Sequence, residues 1–169
     1  MTAADKMLND WLRDAHAMEE QALTMLKGQQ SRLENYPELR ERISKHIAET
    51  ERHAQMIRSC LERRNTATSG VKDAGAKLAA LGQSLSGIFV SDEVVKGSMA
   101  SYTFEHMEIA SYTMLAEAAN FVGDAQTHQI CEEILTEEEA MAQWLADHAG
   151  EVTRTFLERQ STDAETAKR

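Results

Sequence analysis

Proline is almost missing from this chain: Pro37 is the single one in 169 residues. Proline removes a backbone donor and breaks helix interiors, so its scarcity leaves long helices unopposed. Cysteine is nearly absent as well. Cys60 and Cys131 fall among apolar neighbours on helical patterns, which fits reduced core thiols and excludes a disulfide-stapled fold. No apolar run approaches the ~20 residues of a membrane-spanning helix. The opening MTAADKMLND has no apolar signal segment, and the cytoplasm is the expected compartment. Basic residues are outnumbered, 18 Lys and Arg against 28 Asp and Glu, for a net charge of −10. With no basic block, neither nucleic acid nor an anionic membrane is an expected partner. The acidity serves solubility and attracts cations.

What is present is a helix-forming composition over a length suited to one domain. Residues 1–160 are expected to form a single helical domain, followed by a polar tail at 161–169. The organising stretch is Ser101–Leu115, SYTFEHMEIASYTML. On a helix, Glu105, Glu108 and Tyr112 share one face with Leu115 and Ala119. Two carboxylates therefore sit inside a stripe that should be buried. An unpaired buried charge costs several kcal/mol or more, so a partner or a metal must compensate them.

Taken in order, the chain supplies more such acids. A first helix is expected from about Asp5 to about Glu34, with Leu8, Leu12, Ala15, Ala22 and Leu26 on its apolar stripe. Glu19 is the only charged member of that stripe. Asn35-Tyr36-Pro37 breaks the helix, and Pro37 suits the first turn of the next. The second helix runs to about Arg64, with Leu39, Ile43, Ile47, Ala54, Ile57 and Leu61 on its stripe. A neighbouring line carries His46, Glu49, His53, Met56 and Cys60. Residues 65–91 form a long connection with a short helix expected over Val71–Leu85. A third helix starts near Ser91, a suitable N-cap, and ends near Phe121. After the Gly123-Asp124 turn, a fourth helix carries Glu138 among Cys131, Ile134, Leu135, Met141, Ala142 and Leu145. Gly150 is expected to end it, with a short fifth helix over about Glu151–Arg159.

Four helices, each with an acid on an apolar face, make a pattern. Glu19 and Glu49 are 30 residues apart, and so are Glu108 and Glu138. The two helical hairpins read as copies of one unit, and the long connection lets the second and third helices run parallel. That is the topology of ferritin-like bundles, whose carboxylates converge on two metal ions. A lone Glu on a helix face is usually a rim residue with its tip in water; four at matched spacing argue for ligands. His46 and His53 are candidate nitrogen donors or hydrogen-bonded core histidines, and His16 is a weaker candidate one turn before Glu19. Tyr112 is read as core, or as a hydrogen-bond donor to a ligand carboxylate. The usual Glu-x-x-His signature is missing: Arg52 follows Glu49 by three and Met141 follows Glu138 by three. The site should be rich in carboxylate and poor in nitrogen, which suits Fe or Mn better than Zn or Cu.

The segments DWLRDAHAMEEQA (10–22), HIAETE (46–51), KLAALGQSLSGIFVSDEVVKG (77–97), FEHMEIASY (104–112) and ILTEEEAMAQWL (134–145) resemble the YciE/YciF family of bacterial ferritin-like proteins. The YciE branch is the nearer resemblance. It implies a ferritin-like bundle, a homodimer and a link to bacterial stress responses. It also implies a metal-ligand set at Glu19, His46, Glu49, Glu105, Glu108 and Glu138. His53 departs from the Gln expected there. Two functions follow as expectations. One is a dinuclear Fe or Mn protein with oxidoreductase chemistry on O2 or H2O2, in which Glu49 and Glu138 bridge and His46 or His53 donates nitrogen. The other is a non-catalytic helical dimer that acts as a structural or binding stress protein with a degenerate metal site.

Overall fold

The computed structural model describes residues 1–66, 93–163 and 167. Four helices make up the described residues: α1 (Ala3–Gln30), α2 (Pro37–Arg63), α3 (Glu93–Phe121) and α4 (Ala125–Thr162). No strand occurs among them. Local chemistry sets most of the boundaries. Thr2 and Asp5 close a capping box over the start of α1, pairing backbone donors that would otherwise be orphaned. Pro37 opens α2 in the first turn. Gly123 turns the chain at φ +79, a left-handed conformation natural to glycine. Asp124 then caps α4 by accepting from the Thr127 backbone N–H at 3.0 Å.

Residue pairs across the bundle fix its directions. Glu19 faces His53 and Lys27 faces Glu51, so α1 and α2 are antiparallel. Ser101 reaches Gln29 and Tyr112 reaches Glu19, so α1 and α3 are antiparallel too. Helices α2 and α3 therefore run parallel, as the long connection between them requires. This is a four-helix bundle with one crossover, the ferritin-like arrangement. The short helix expected over Val71–Leu85, and the expected cap at Ser91, lie outside the described residues.

The predicted stripes are the core. Leu8, Leu12, Ala15, Ala22 and Leu26 of α1 are buried, as are Leu39, Ile43, Ile47, Ala54, Ile57 and Leu61 of α2. They divide into two apolar clusters. One gathers Leu8, Leu12, Ile57, Leu61, Leu115 and Ile134; the other gathers Leu26, Leu33, Leu39, Ile43, Met141 and Leu145. His53 and Glu138 fall between them along α2 and α4, and Glu19 lies beside Met18 and Ala22 of the first cluster on α1.

Two expectations about helix ends are corrected. Helix α1 stops at Gln30, short of Glu34, because the chain turns to bury Leu33 and Tyr36 in the second cluster. Helix α4 does not break at Gly150, and no separate fifth helix forms: a single helix runs through to Thr162. A glycine inside a helix costs only about 1 kcal/mol relative to alanine. Beyond it Val152 and Phe156 continue the buried stripe, and that burial outweighs the cost at ~1.5–3 kcal/mol per large side chain. In the expected polar tail, Ser161, Thr162 and Asp163 are exposed, whereas Ala167 is buried and its carbonyl accepts from the Tyr36 hydroxyl.

Candidate metal centre

Six side chains meet in the middle of the bundle. Helix α1 supplies Glu19, α2 His46 and His53, α3 Glu105 and Glu108, and α4 Glu138. None is more than 1 % exposed. One donor atom from each of His46, Glu105, Glu108 and Glu138 lies within 4.8 Å of the others, and the same is true of Glu19, His53 and Glu138. Glu138 belongs to both groups. The helical repeat explains the division. His46 and His53 are two turns apart, roughly 10 Å along the axis, so each reaches a different group. Glu105 and Glu108, three residues apart, are neighbours on one face and enter the same group.

The donors approach within ion-pair distance but without hydrogen bonds. His46 Nε2 is 3.1 Å from Glu105 and 3.4 Å from Glu138. His53 Nδ1 is 2.9 Å from Glu138 and 3.8 Å from Glu19. Yet His46 Nε2, His53 Nδ1 and both oxygens of Glu108 and of Glu138 make no hydrogen bond. The atoms face one another without the alignment a hydrogen bond needs. Unpaired buried polar atoms cost roughly 1–3 kcal/mol each, more when charged. Atoms that surround a common ion stand in this way.

The outward nitrogen of each histidine is held from behind. His46 Nδ1 lies 2.9 Å from Glu49, and Glu49 is held in turn by Arg42 at 3.2 Å and Lys45 at 3.4 Å. His53 Nε2 lies 2.7 Å from Glu137, which pairs with Arg52. A carboxylate behind a histidine fixes the tautomer and aims the other nitrogen. On the other side of the centre, the Tyr112 hydroxyl donates to Glu19 Oε1, as read from the sequence.

Without a cation the cluster must keep protons. Burial, and then the neighbouring Glu138, push the Glu19 carboxyl up to about 8. Burial pushes Glu105 up to about 7. It drives Glu108 far above the usual carboxylate range, with Glu138 adding to the shift. Glu138 goes the other way, because His53 and His46 outweigh its burial. His46 rises to about 10, since Glu105 and Glu49 outweigh the desolvation of its ring. A cation that displaces these protons removes the conflict. The donor set suits such a role. The two groups share four carboxylates, whose full charge two divalent ions neutralise. Four Glu and two His is also the ligand count of the dinuclear ferritin-like bundles, distributed differently: α2 gives both imidazoles, and α3 gives Glu-x-x-Glu.

Of the expected ligands, Glu19, His46, His53, Glu105, Glu108 and Glu138 are brought together, and Glu49 is not. Its carboxylate lies against Arg42, Lys45 and the outward nitrogen of His46, outside both donor groups. The 30-residue repeat that suggested Glu49 as the counterpart of Glu138 does not bring the two carboxylates into one donor group. The histidines, left as alternatives, both lie among the donor groups, so the cluster is less poor in nitrogen than expected. His16 stays outside both groups. Glu137 was missed. Its partner lies on another helix, and nothing in the spacing of α4 marks it.

The fold and the site define a ferritin-like four-helix protein whose buried His and Glu groups could hold metal ions. The chain belongs to the family described as a domain of unknown function, DUF892, which matches residues 3–158. It is similar to a protein of known crystal structure from Xanthomonas campestris pv. campestris, with 39% identity and a TM-score of 0.80 over 94% of this chain and 99% of that one. The stress protein YciF of E. coli has the same fold at 23% identity, with a TM-score of 0.76 over 88% of this chain and 96% of that one. So does YcfI of Rhodopseudomonas palustris, to which a structural role is ascribed, at 20% identity and a TM-score of 0.71 over 86% and 94%. No described helix is long and apolar enough to cross a membrane.

Proposed function

We propose that this protein holds a pair of Fe or Mn ions and carries out oxidoreductase chemistry on O2 or H2O2, of ferroxidase or catalase type. The observation that carries this reading is the membership of Glu138 in two buried donor groups. A bound pair of these ions would supply the redox electrons. The protein's own residues do the rest. Glu138 would serve both ions; His46, Glu105 and Glu108 would hold one, and Glu19 and His53 the other. Glu49 and Glu137 hold the imidazoles in place. Burial and the charge of Glu19 hold the Tyr112 hydroxyl well above its usual range. It keeps its proton and donates a hydrogen bond to Glu19 Oε1, which would leave Oε2 to an ion. The oxygen-rich set favours Mn or Fe over softer metals. The likeness to YciF supports a stress-associated role, and the helix motifs support the YciE branch.

A second reading is a non-catalytic helical dimer, a structural or binding stress protein with a degenerate site. The absence of Glu-x-x-His from α2 and α4 favours it, as does the role ascribed to YcfI. Both readings take a homodimer, supported by apolar side chains left in solvent along α3: Met99, Met114 and Phe121 are 52%, 63% and 78% exposed. Apolar surface of this kind marks interfaces. Metal content by mass spectrometry, together with melting before and after chelation, separates the readings. The dinuclear protein carries up to two ions per chain and melts higher with them. A protein that takes up no ion and melts the same with or without chelator supports the second reading.

A further inference from the structure

A cleft of about 230 Å³ lies on the flank between α1 and α2, outside the six donors, lined by His16, Glu20, Leu23, Glu51, Ala54 and Arg58. Its position along the helices matches that of the centre. His16, Glu20 and Leu23 surround Glu19 on α1 at three before, one after and four after, and Ala54 follows His53 on α2. His16 is only 4 % exposed, and its Nδ1 is buried without a hydrogen-bond partner. A buried, unpaired imidazole nitrogen costs free energy, and neither the core nor the proposed centre uses it. Burial, with the charge of Arg58 adding to it, outweighs the attraction of Glu20 and pushes this imidazole below its usual range. It stands neutral, with a lone pair to give.

The rest of the lining narrows the ligand. Glu20 and Glu51 bring two carboxylates against the single guanidinium of Arg58, which argues against an anion. His16 and Glu20 are four residues apart on α1 and so share a face, a spacing that lets imidazole and carboxylate close on one ion. Glu51 is engaged by Lys27 at 2.8 Å, but both side chains are about half exposed. Such a surface pair is worth ~0–1 kcal/mol and yields readily. Nitrogen and oxygen donors together suit a divalent first-row cation.

From this we infer that His16, Glu20 and Glu51 form a third, labile divalent-cation site from which ions load into the buried centre. The inference rests on the dinuclear reading above. Glu20 and Glu51 are surface side chains that must turn to close on an ion, so the site is open and exchanges quickly. The core donors, by contrast, already converge. A cation held here is one helical turn from Glu19, and the site raises its local concentration at the edge of a core that solvent does not reach.

The test is the loading rate of the full-length, chelator-stripped protein with Mn2+ alone. Uptake is followed by loss of the free-ion EPR signal and final content by mass spectrometry. Glu20→Gln changes an exposed residue and leaves the fold intact; His16→Leu fills the buried position with an apolar side chain of similar size. Both should load about tenfold more slowly at low Mn2+, the lower end of what local charge does to on-rates, and still reach the wild-type content. Glu139→Gln, which removes an exposed carboxylate on α4, should load like wild type. Wild-type rates in both variants, or equal slowing by Glu139→Gln, would overturn the inference and leave the dinuclear centre standing. A wild-type protein that takes up no ion overturns the dinuclear reading itself.

Discussion

The two halves of the centre share Glu138 and differ in almost everything else. The half with His46 has four donors, and Glu49 behind its histidine is 11 % exposed and held by two basic side chains. The half with His53 has three donors, and Glu137 behind its histidine is 28 % exposed with Arg52 as its basic partner. Here Tyr112 also occupies one oxygen of Glu19. The first half is the more closed and should hold its ion more tightly. The second has fewer ligands, so under the proposed function it is where a small oxidant finds an open position. The cleft with His16 lies on that side of the bundle. Under the proposed function, one bundle builds a tight and a labile position from the same residue types, by changing how many carboxylates converge and how firmly each histidine is held.

Removing what the halves share should have the largest effect. Glu138→Ala should empty both, bringing metal content per chain close to zero. A site saturated at about a hundred times its Kd contributes about 2.7 kcal/mol, and that stabilisation should vanish. After chelation the variant should lose far less stability, because an uncompensated buried carboxylate has gone. Unchanged metal content in this variant would end the shared-ligand account.

Removing what the halves do not share should separate them. Glu108→Ala should empty the His46 half, and Glu19→Ala the His53 half, each leaving about one ion per chain by mass spectrometry. Complete loss of metal in both would mean that the halves do not bind independently. The histidine partners should matter less. Glu49→Gln should weaken binding in the first half by about 10–100-fold, the usual effect of removing a carboxylate behind a ligand histidine. Glu137→Gln should weaken the second half less, being more exposed. Calorimetric titration of chelator-stripped protein reads both, and equal effects would argue against the contrast in enclosure.

A position far from the centre gives the smallest effect and the reference. Asp124 caps α4 and is held by Arg64 at 2.8 Å and Arg63 at 3.2 Å. Burial alone would raise its carboxyl, but the Thr127 backbone N–H, Thr127 hydroxyl and Arg64 hold it down to about 2. A carboxyl depressed on folding stabilises the fold fully above its unfolded value near 4, and that stabilisation is lost as pH falls through about 2. Asp124→Ala should therefore cost about 1–2 kcal/mol at pH 6, leave metal content unchanged, and differ less and less from wild type as the pH drops from 4 to 2. A melting-temperature gap that stays constant over that range would contradict the assignment.

Much of this bundle was legible in the sequence because helical periodicity is local. The stripes of α1 and α2, the break at Pro37 and the turn at Gly123 all follow from residues within a few positions of one another. The parallel course of α2 and α3 followed from the length of their connection. Gly150 misled because a local breaker was weighed without the tertiary burial of Val152 and Phe156. The acids of the centre were legible as charges on apolar faces. The role of Glu49 was not, because its direction depends on competition between an ion in the core and Arg42 and Lys45 on the outer face. Glu137 was hidden for a similar reason: its histidine is on another helix.

The shared centre is tested most directly by diffraction from crystals of the metal-loaded protein, recorded at the absorption edge of the bound metal. The account predicts two anomalous peaks per chain, one beside His46, Glu105 and Glu108, the other beside Glu19 and His53, with Glu138 in contact with both. A single peak that Glu138 does not touch, or no peak among these six side chains in protein shown to carry metal, would contradict it.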